Sequence, residues 1–247
     1  MAMSFRPRSG TILGMLALLA LAYPASAEGT RMRPKAVVEL FTSQGCASCP
    51  PADALLTMLA TEGDVVALAY HVDYWDYIGW PDTFGAAANS DLQRDYAESW
   101  GSSRIFTPQL VVNGVKGVVA SRKREVEGAV DGTGLHLPIR LTAANEMLDV
   151  AIEGDAGMEQ AVVWLITFID RAEVDIERGE NKGKRIAYTQ IVTGRQAVGM
   201  WDPDAGAHFK LPLSEVLTET SNGAVVMVQQ DRDGLPGRIL GAASFTR

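Results

Sequence analysis

The 247-residue chain carries only two cysteines, Cys46 and Cys49, and only three histidines, His71, His136 and His208. Small disulfide scaffolds rely on several bridges, so one closely spaced pair excludes that class. Positive charge is scarce too: 22 Lys and Arg stand against 30 Asp and Glu, a net charge of −8. No basic cluster with interleaved aromatics offsets it, and a chain this acidic repels phosphate backbones. Nucleic acid is therefore not an expected partner. Beyond the first 27 residues no apolar run approaches the about 20 residues needed to cross a bilayer. Internal repeats and low-complexity tracts are missing as well.

What is present begins with a leader. Arg6 and Arg8 precede an apolar run from Thr11 to Ala22, and Ala25-Ser26-Ala27 follows with small residues. This is the layout of a secretory signal peptide over residues 1–27. An uncleaved anchor is the alternative, but the run is short for a span. No cysteine follows the small residues, and Pro7 separates the arginines, so neither a lipid anchor nor a twin-arginine signal is indicated. The expected mature chain has 20 basic and 30 acidic residues, a charge of −10. It is expected in the periplasm or outside the cell, with no membrane association after cleavage.

From residue 28 to 132 short β-rich runs alternate with helical stretches. Ala36–Phe41 and Val65–Tyr70 read as buried strands, nearly continuous in apolar residues as parallel strands covered on both faces are. Pro50–Ala60 and Ala86–Trp100 read as helices. Gln109–Val112 and Val115–Ala120 form a hairpin about Asn113-Gly114. Ser121 is placed as the N-cap of a helix through Val130. The order is β-α-β-α-β-β-α. After Gly132-Thr133-Gly134, residues 137–247 read as seven strands separated by turn clusters, which suggests an all-β, sandwich-like domain. Asp231, Asp233 and Gly234 are read as a turn, not a calcium loop.

The chemistry concentrates in Phe41-Thr42-Ser43-Gln44-Gly45-Cys46-Ala47-Ser48-Cys49-Pro50, between a strand and a helix. As a structural staple a four-residue loop contributes only ~2 kcal/mol, against ~3 for fifteen residues. Adjacent thiols in a tight turn suit thiol–disulfide exchange better. Near a helix N-terminus Cys46 is expected as the exposed nucleophile with a lowered thiol pKa, and Cys49 as the more buried resolving thiol. A C-x-x-C pair also forms half of a zinc site, but the histidines would have to complete the four ligands.

These residues, with Thr107-Pro108 opening a later strand, resemble the thioredoxin superfamily, whose minimal core has the same element order. The resemblance implies a thioredoxin-like α/β domain with Thr107-Pro108 cis, Pro108 shaping the catalytic groove and Thr107 lining it. It also implies a buried acid in the first strand. Glu39 is one residue further from the cysteines than that acid usually lies, and one step along a strand flips the face. Glu39 thus stands as either a proton acceptor or a solvated edge residue. Gly45 replaces the usual aromatic, and Ala47-Ser48 differs from common dipeptides, so the direction of electron flow is not implied. Together with Pro51-Ala52-Asp53, His71-Val72-Asp73-Tyr74-Trp75-Asp76 and Gly179-Glu180-Asn181, the pattern is similar to an uncharacterised secreted family, domain of unknown function 1223.

The loop after the second strand supplies His71, Asp73 and Trp75 as candidate substrate-binding residues, at the sheet edge that carries the cysteines. Trp75 and Trp80 form either an apolar wall beside the thiol or ordinary packing. Arg104 is expected to be solvated. The expected function is an exported thiol–disulfide oxidoreductase acting on protein or small-molecule thiols and disulfides, with no organic cofactor and no resident metal. One alternative is a Cu(I)-delivery protein in which His71 adds a third ligand to two thiolates. Another is a non-enzymatic binding module with a permanent disulfide.

Overall fold

The structure, a computed structural model, describes residues 30–246 together with Met1 and Met3. Apart from those two methionines, the leader read over residues 1–27 lies outside the described residues. The elements, in chain order, are β1 (Thr30–Met32), β2 (Ala36–Thr42), α1 (Pro50–Ala60), β3 (Val65–His71), a 3-10 turn (Asp76–Ile78) and α2 (Ala87–Ser99). Then come β4 (Gln109–Val112), β5 (Lys116–Val119), α3 (Lys123–Asp131), β6 (Ile139–Ala144), β7 (Met147–Ile152) and β8 (Ala161–Asp175). The chain closes with β9 (Arg185–Trp201), β10 (Ala207–Pro212), a short α4 (Leu213–Val216), β11 (Gly223–Arg232) and β12 (Leu235–Thr246).

Eight strands form one mixed sheet in the order β12-β11-β8-β9-β3-β2-β4-β5. β2 lies inside it, third from the β5 edge, parallel to β3 and antiparallel to β4, and every residue of β2 is buried. Alternation sends successive side chains to opposite faces. Val38 and Leu40 join Ala52, Leu55, Leu56 and Leu59 of α1 on one face. Val37 and Phe41 pack with Leu92 and Tyr96 of α2 on the other. Pro50 and Pro51 occupy the first turn of α1, where a missing N–H breaks no helical bond.

The sheet is continuous across residues 132–137, because β9 joins β3 through Ala69 and Ile191. Strands β1, β6, β7 and β10 form a second, antiparallel sheet. Ile139, Leu148 and Val150 of that sheet share a core with Val163, Leu165, Val226 and Trp201 of the large one. Residues 113–115 connect β4 to β5: Asn113 and Gly114 have φ of 48° and 69°, a left-handed pair, and the Val115 N–H closes the turn on the Val112 carbonyl at 3.0 Å. Ser121 does not cap α3, because the helix begins at Lys123 after Arg122 with no side-chain cap. The Asp231–Gly234 stretch is a hairpin turn in which Asp231 accepts from the Gly234 N–H.

Candidate functional site

β2 ends at Thr42, and Ser43–Ser48 turn the chain into α1, with Cys49 as the N-cap. Cys46 and Cys49 are joined in a disulfide, with Cα atoms 5.4 Å apart. Cys46 is 1% exposed and Cys49 is fully buried, so the expectation of an exposed Cys46 is corrected. Only Ala47 and Ser48 between them reach solvent, and the Ser48 hydroxyl lies 3.5 Å from the Cys46 sulfur.

Two distant segments close over this turn. Asn181, from the β8–β9 connection, is fully buried and donates from Nδ2 to the carbonyls of Gln44 and Cys46, both at 2.9 Å. Lys184 Nζ holds the Asn181 Oδ1 at 2.8 Å. From the other side comes the loop after β3. Trp75 packs against Gly45, where an added Cβ would lie 3.1 Å from the Trp75 Cβ, which is why glycine fits there. Trp80 Nε1 donates to Gln44 Oε1 at 2.8 Å, and Gln44 Nε2 donates to Thr83. The backbone N–H of Gln44 donates to Asp82 Oδ2 at 2.7 Å.

Thr107-Pro108 is a cis peptide. Phe41 pairs with Gln109, so one further step in this antiparallel register sets Pro108 level with Thr42, at the root of the cysteine turn. Trp75 Nε1 donates to Thr107 Oγ1 at 2.7 Å. The structure thus brings Cys46, Cys49, Trp75, Thr107 and Pro108 together. Asp73 is instead bonded to Ser90 of α2. Arg104 is exposed.

Glu39 occupies the face of β2 opposite α1, as the alternation of that strand requires. There it is fully buried, neither at an edge nor solvated, and accepts from the Tyr96 hydroxyl, which in turn accepts from Gln229 Nε2. Gln229 also holds Arg195, whose guanidinium stacks 3.5 Å over Trp164. Burial pushes the Glu39 carboxyl up, while the Tyr96 hydrogen bond and the Arg195 charge pull it back.

On the α1 face a different acid follows the cysteines by one helical turn. Asp53 is one helical turn after Cys49, its backbone N–H donating to the Cys49 carbonyl at 3.1 Å. Residues four apart share a helix face. Asp53 is buried and accepts from Thr42 Oγ1 at 2.7 Å, while its Oδ2 has no partner. Burial raises its carboxyl to about 7, helped by the Asp82 charge and opposed by His71 and the Thr42 hydrogen bond. His71 is fully buried and pairs through Nδ1 with Asp82 Oδ2 at 2.8 Å, leaving Nε2 without a partner. Its ring meets that of Tyr188 from β9 edge-on at 4.8 Å, and the Tyr188 hydroxyl also lacks a partner. His71 therefore faces inward and does not line a surface. Among the described residues, no three His, Cys, Asp or Glu side chains are grouped to hold a metal ion, and no helix is long and apolar enough to cross a membrane.

Asp53 and Asn181 escaped the sequence reading. For Asp53 a signal existed: it is the one charged residue on the face that Ala52, Leu55, Leu56 and Leu59 turn to the sheet. For Asn181 there was none, because it reaches the cysteine turn from 135 residues away.

Fold and site together define a mixed α/β protein with a covered disulfide at a strand-to-helix turn. The chain belongs to the family described as "Protein of unknown function (DUF1223)", whose model matches residues 37–229. It is similar to an Agrobacterium tumefaciens protein solved by X-ray crystallography, with 36% identity, 88% of this chain and 96% of that one covered, and a TM-score of 0.78. It also resembles HBP35 of Porphyromonas gingivalis in fold, with 12% identity, 89% and 76% coverage and a TM-score of 0.55. No curated protein matches it.

Proposed function

We propose that the chain is an exported thiol–disulfide oxidoreductase built on a thioredoxin-like α/β unit, working through Cys46 and Cys49. The observation that carries the reading is the internal disulfide at the mouth of α1, flanked by the cis Thr107-Pro108 bond. Cys46, whose sulfur lies 3.5 Å from the hydroxyl of the exposed Ser48, forms the mixed disulfide; Cys49 resolves it. An open groove of about 550 Å³ between α1 and β9, lined by Pro50, Ala54, Thr57 and Lys184, gives an extended substrate a place beside the turn. The leader composition supports export to a compartment where disulfides persist.

Burial of both sulfurs sets a condition on this chemistry. Exchange requires the thiolate and the attacked sulfur to meet in line, so the turn held by Trp75 at Gly45 and by Asn181 at the Gln44 and Cys46 carbonyls has to open to expose a sulfur in each turnover. The same burial favours a second reading, a binding module whose disulfide is permanent.

A self-quenched disulfide peptide and reduced glutathione separate the two. Exchange predicts turnover by wild type, none by Cys46→Ser, and a trapped mixed disulfide with Cys49→Ser. A wild-type protein that is inert while folded, and reduced only after denaturation, contradicts exchange and favours the binding module.

A further inference from the structure

We infer that Asp53 is the proton acceptor for the Cys49 thiol, and that His71, Asp82 and Tyr188 form the buried polar setting that holds it ready. The inference rests on the exchange reading and assigns residues to its resolving step.

Three observations support it without reference to turnover. Asp53 stands four residues after Cys49, the N-cap of α1, a spacing that puts both on one side of the helix, and its backbone N–H donates to the Cys49 carbonyl. Three polar atoms in this one region, Asp53 Oδ2, His71 Nε2 and Tyr188 Oη, are buried without partners. A buried polar atom left unpaired costs about 1–3 kcal/mol, and His71 and Tyr188 stand within electrostatic reach of the Asp53 carboxyl, whose Oδ2 is free to take a proton. Third, the groups come from separate elements that all converge on α1: Thr42 from β2, His71 from β3, Asp82 from the loop before α2, and Tyr188 from β9. Glu39, the acid suggested by the strand position, is on the other face of the sheet.

In a mixed disulfide between Cys46 and a substrate sulfur, the Cys49 S–H proton passes to the ionised Asp53 carboxylate. The Cys49 thiolate attacks the Cys46 sulfur and forms the Cys46–Cys49 bond. The Cys46–substrate bond breaks, its electron pair leaves with the substrate sulfur, and that thiolate takes a proton from water. The substrate disulfide has then gained two electrons and the cysteine pair has lost two.

A carboxyl near 7 suits the task at neutral pH, since it is part ionised and holds a proton well enough to draw one from a thiol. His71 and Asp82 are positioning residues: their pair fixes the imidazole beside the carboxyl. Asp82 also binds the Gln44 N–H, so the same side chain links the cluster to the cover of the disulfide.

The experiment follows reoxidation of the reduced protein by oxidised glutathione from pH 5.5 to 9, in wild type, Asp53→Asn and Asp53→Glu. The inference predicts a wild-type rate rising through pH ~7, a loss of ~100-fold or more below pH 7 in Asp53→Asn, and partial recovery in Asp53→Glu. In parallel, carbon-13 carboxyl NMR of wild type follows the Asp53 titration in the oxidised and reduced states, which needs no variant to fold. A midpoint near 7 that moves on reduction supports the inference. An unchanged pH profile in Asp53→Asn, or a carboxyl titrating below 5 alike in both states, overturns it and leaves exchange standing. A wild type inert to oxidised glutathione at every pH overturns the exchange reading and this inference with it.

Discussion

Asn181 is the point at which the cover over the disulfide is most exposed to a single substitution. Asn181→Ala removes two donors, one to the Gln44 carbonyl and one to the Cys46 carbonyl. The Cys46 carbonyl keeps the Cys49 N–H at 3.2 Å, so the loss falls mainly on the Gln44 carbonyl, in a residue that is fully buried. An unsatisfied buried acceptor costs about 1–3 kcal/mol, and the shared bond at Cys46 adds a fraction of that. A penalty of about 2 kcal/mol on the closed state raises the open population roughly 30-fold, since 1.4 kcal/mol is a factor of ten. If the sulfurs react only from an opened state, the rate of reduction by dithiothreitol under native conditions should rise by a similar factor. Thiol trapping against time, below the urea concentration at which the chain unfolds, measures it. A reduction rate within twofold of wild type would refute the claim that this cover limits access to the disulfide.

Three further outcomes follow from the structure. Asp53, raised by burial from 3.8 to about 7, binds its proton more tightly folded than unfolded. The folded state therefore loses stability as pH rises from ~4 to ~7, by about 4 kcal/mol in all. Urea titrations at pH 4.5 and 7.5 should show that fall in wild type and lack it in Asp53→Asn; equal slopes in both would contradict it. Tyr96→Phe removes the donor to Glu39 and the acceptor of Gln229, both buried. It should cost roughly 1–3 kcal/mol in urea unfolding and leave the pH profile of reoxidation unchanged, because that network lies across the sheet from α1. Gly114→Ala would force a Cβ to within 2.2 Å of the Gly237 carbonyl oxygen at a φ of +69°. It should lower the melting temperature by several degrees or prevent folding, whereas Gly63→Ala, with open space around it, should change the melting temperature little.

Much of the chain was legible one element at a time. β2 and β3 announced themselves as nearly continuous apolar runs, interrupted in β2 by Glu39, because both of their faces are covered. Pro50 and Pro51 fixed the start of α1, and Asn113-Gly114 fixed a hairpin. β8 extends past its apolar stretch to Asp175 because that end of the β8–β9 ribbon is exposed and alternates Arg171, Glu173 and Asp175 with smaller residues. β9 runs on to the buried Trp201 because its second half pairs along residues 161–168 of β8. The pairing of β9 with β3, which makes one sheet of strands 120 residues apart in sequence, has no local signal. The same holds for the site: the cysteine turn was plain, but its burial comes from Asn181 and from the loop that carries Trp75 and Asp82. The face of Glu39 hung on one step of strand register, and that register is set by pairing with β3 and β4, not by the residues of β2.

The most direct test of the account is the reduction potential of Cys46–Cys49, measured by mass-tag trapping of thiols across glutathione buffers of graded ratio. Exchange catalysis predicts a value within roughly −120 to −270 mV, the span of working oxidoreductases. A value below about −300 mV, typical of structural disulfides, would contradict it and leave the covered bridge as a permanent part of the fold.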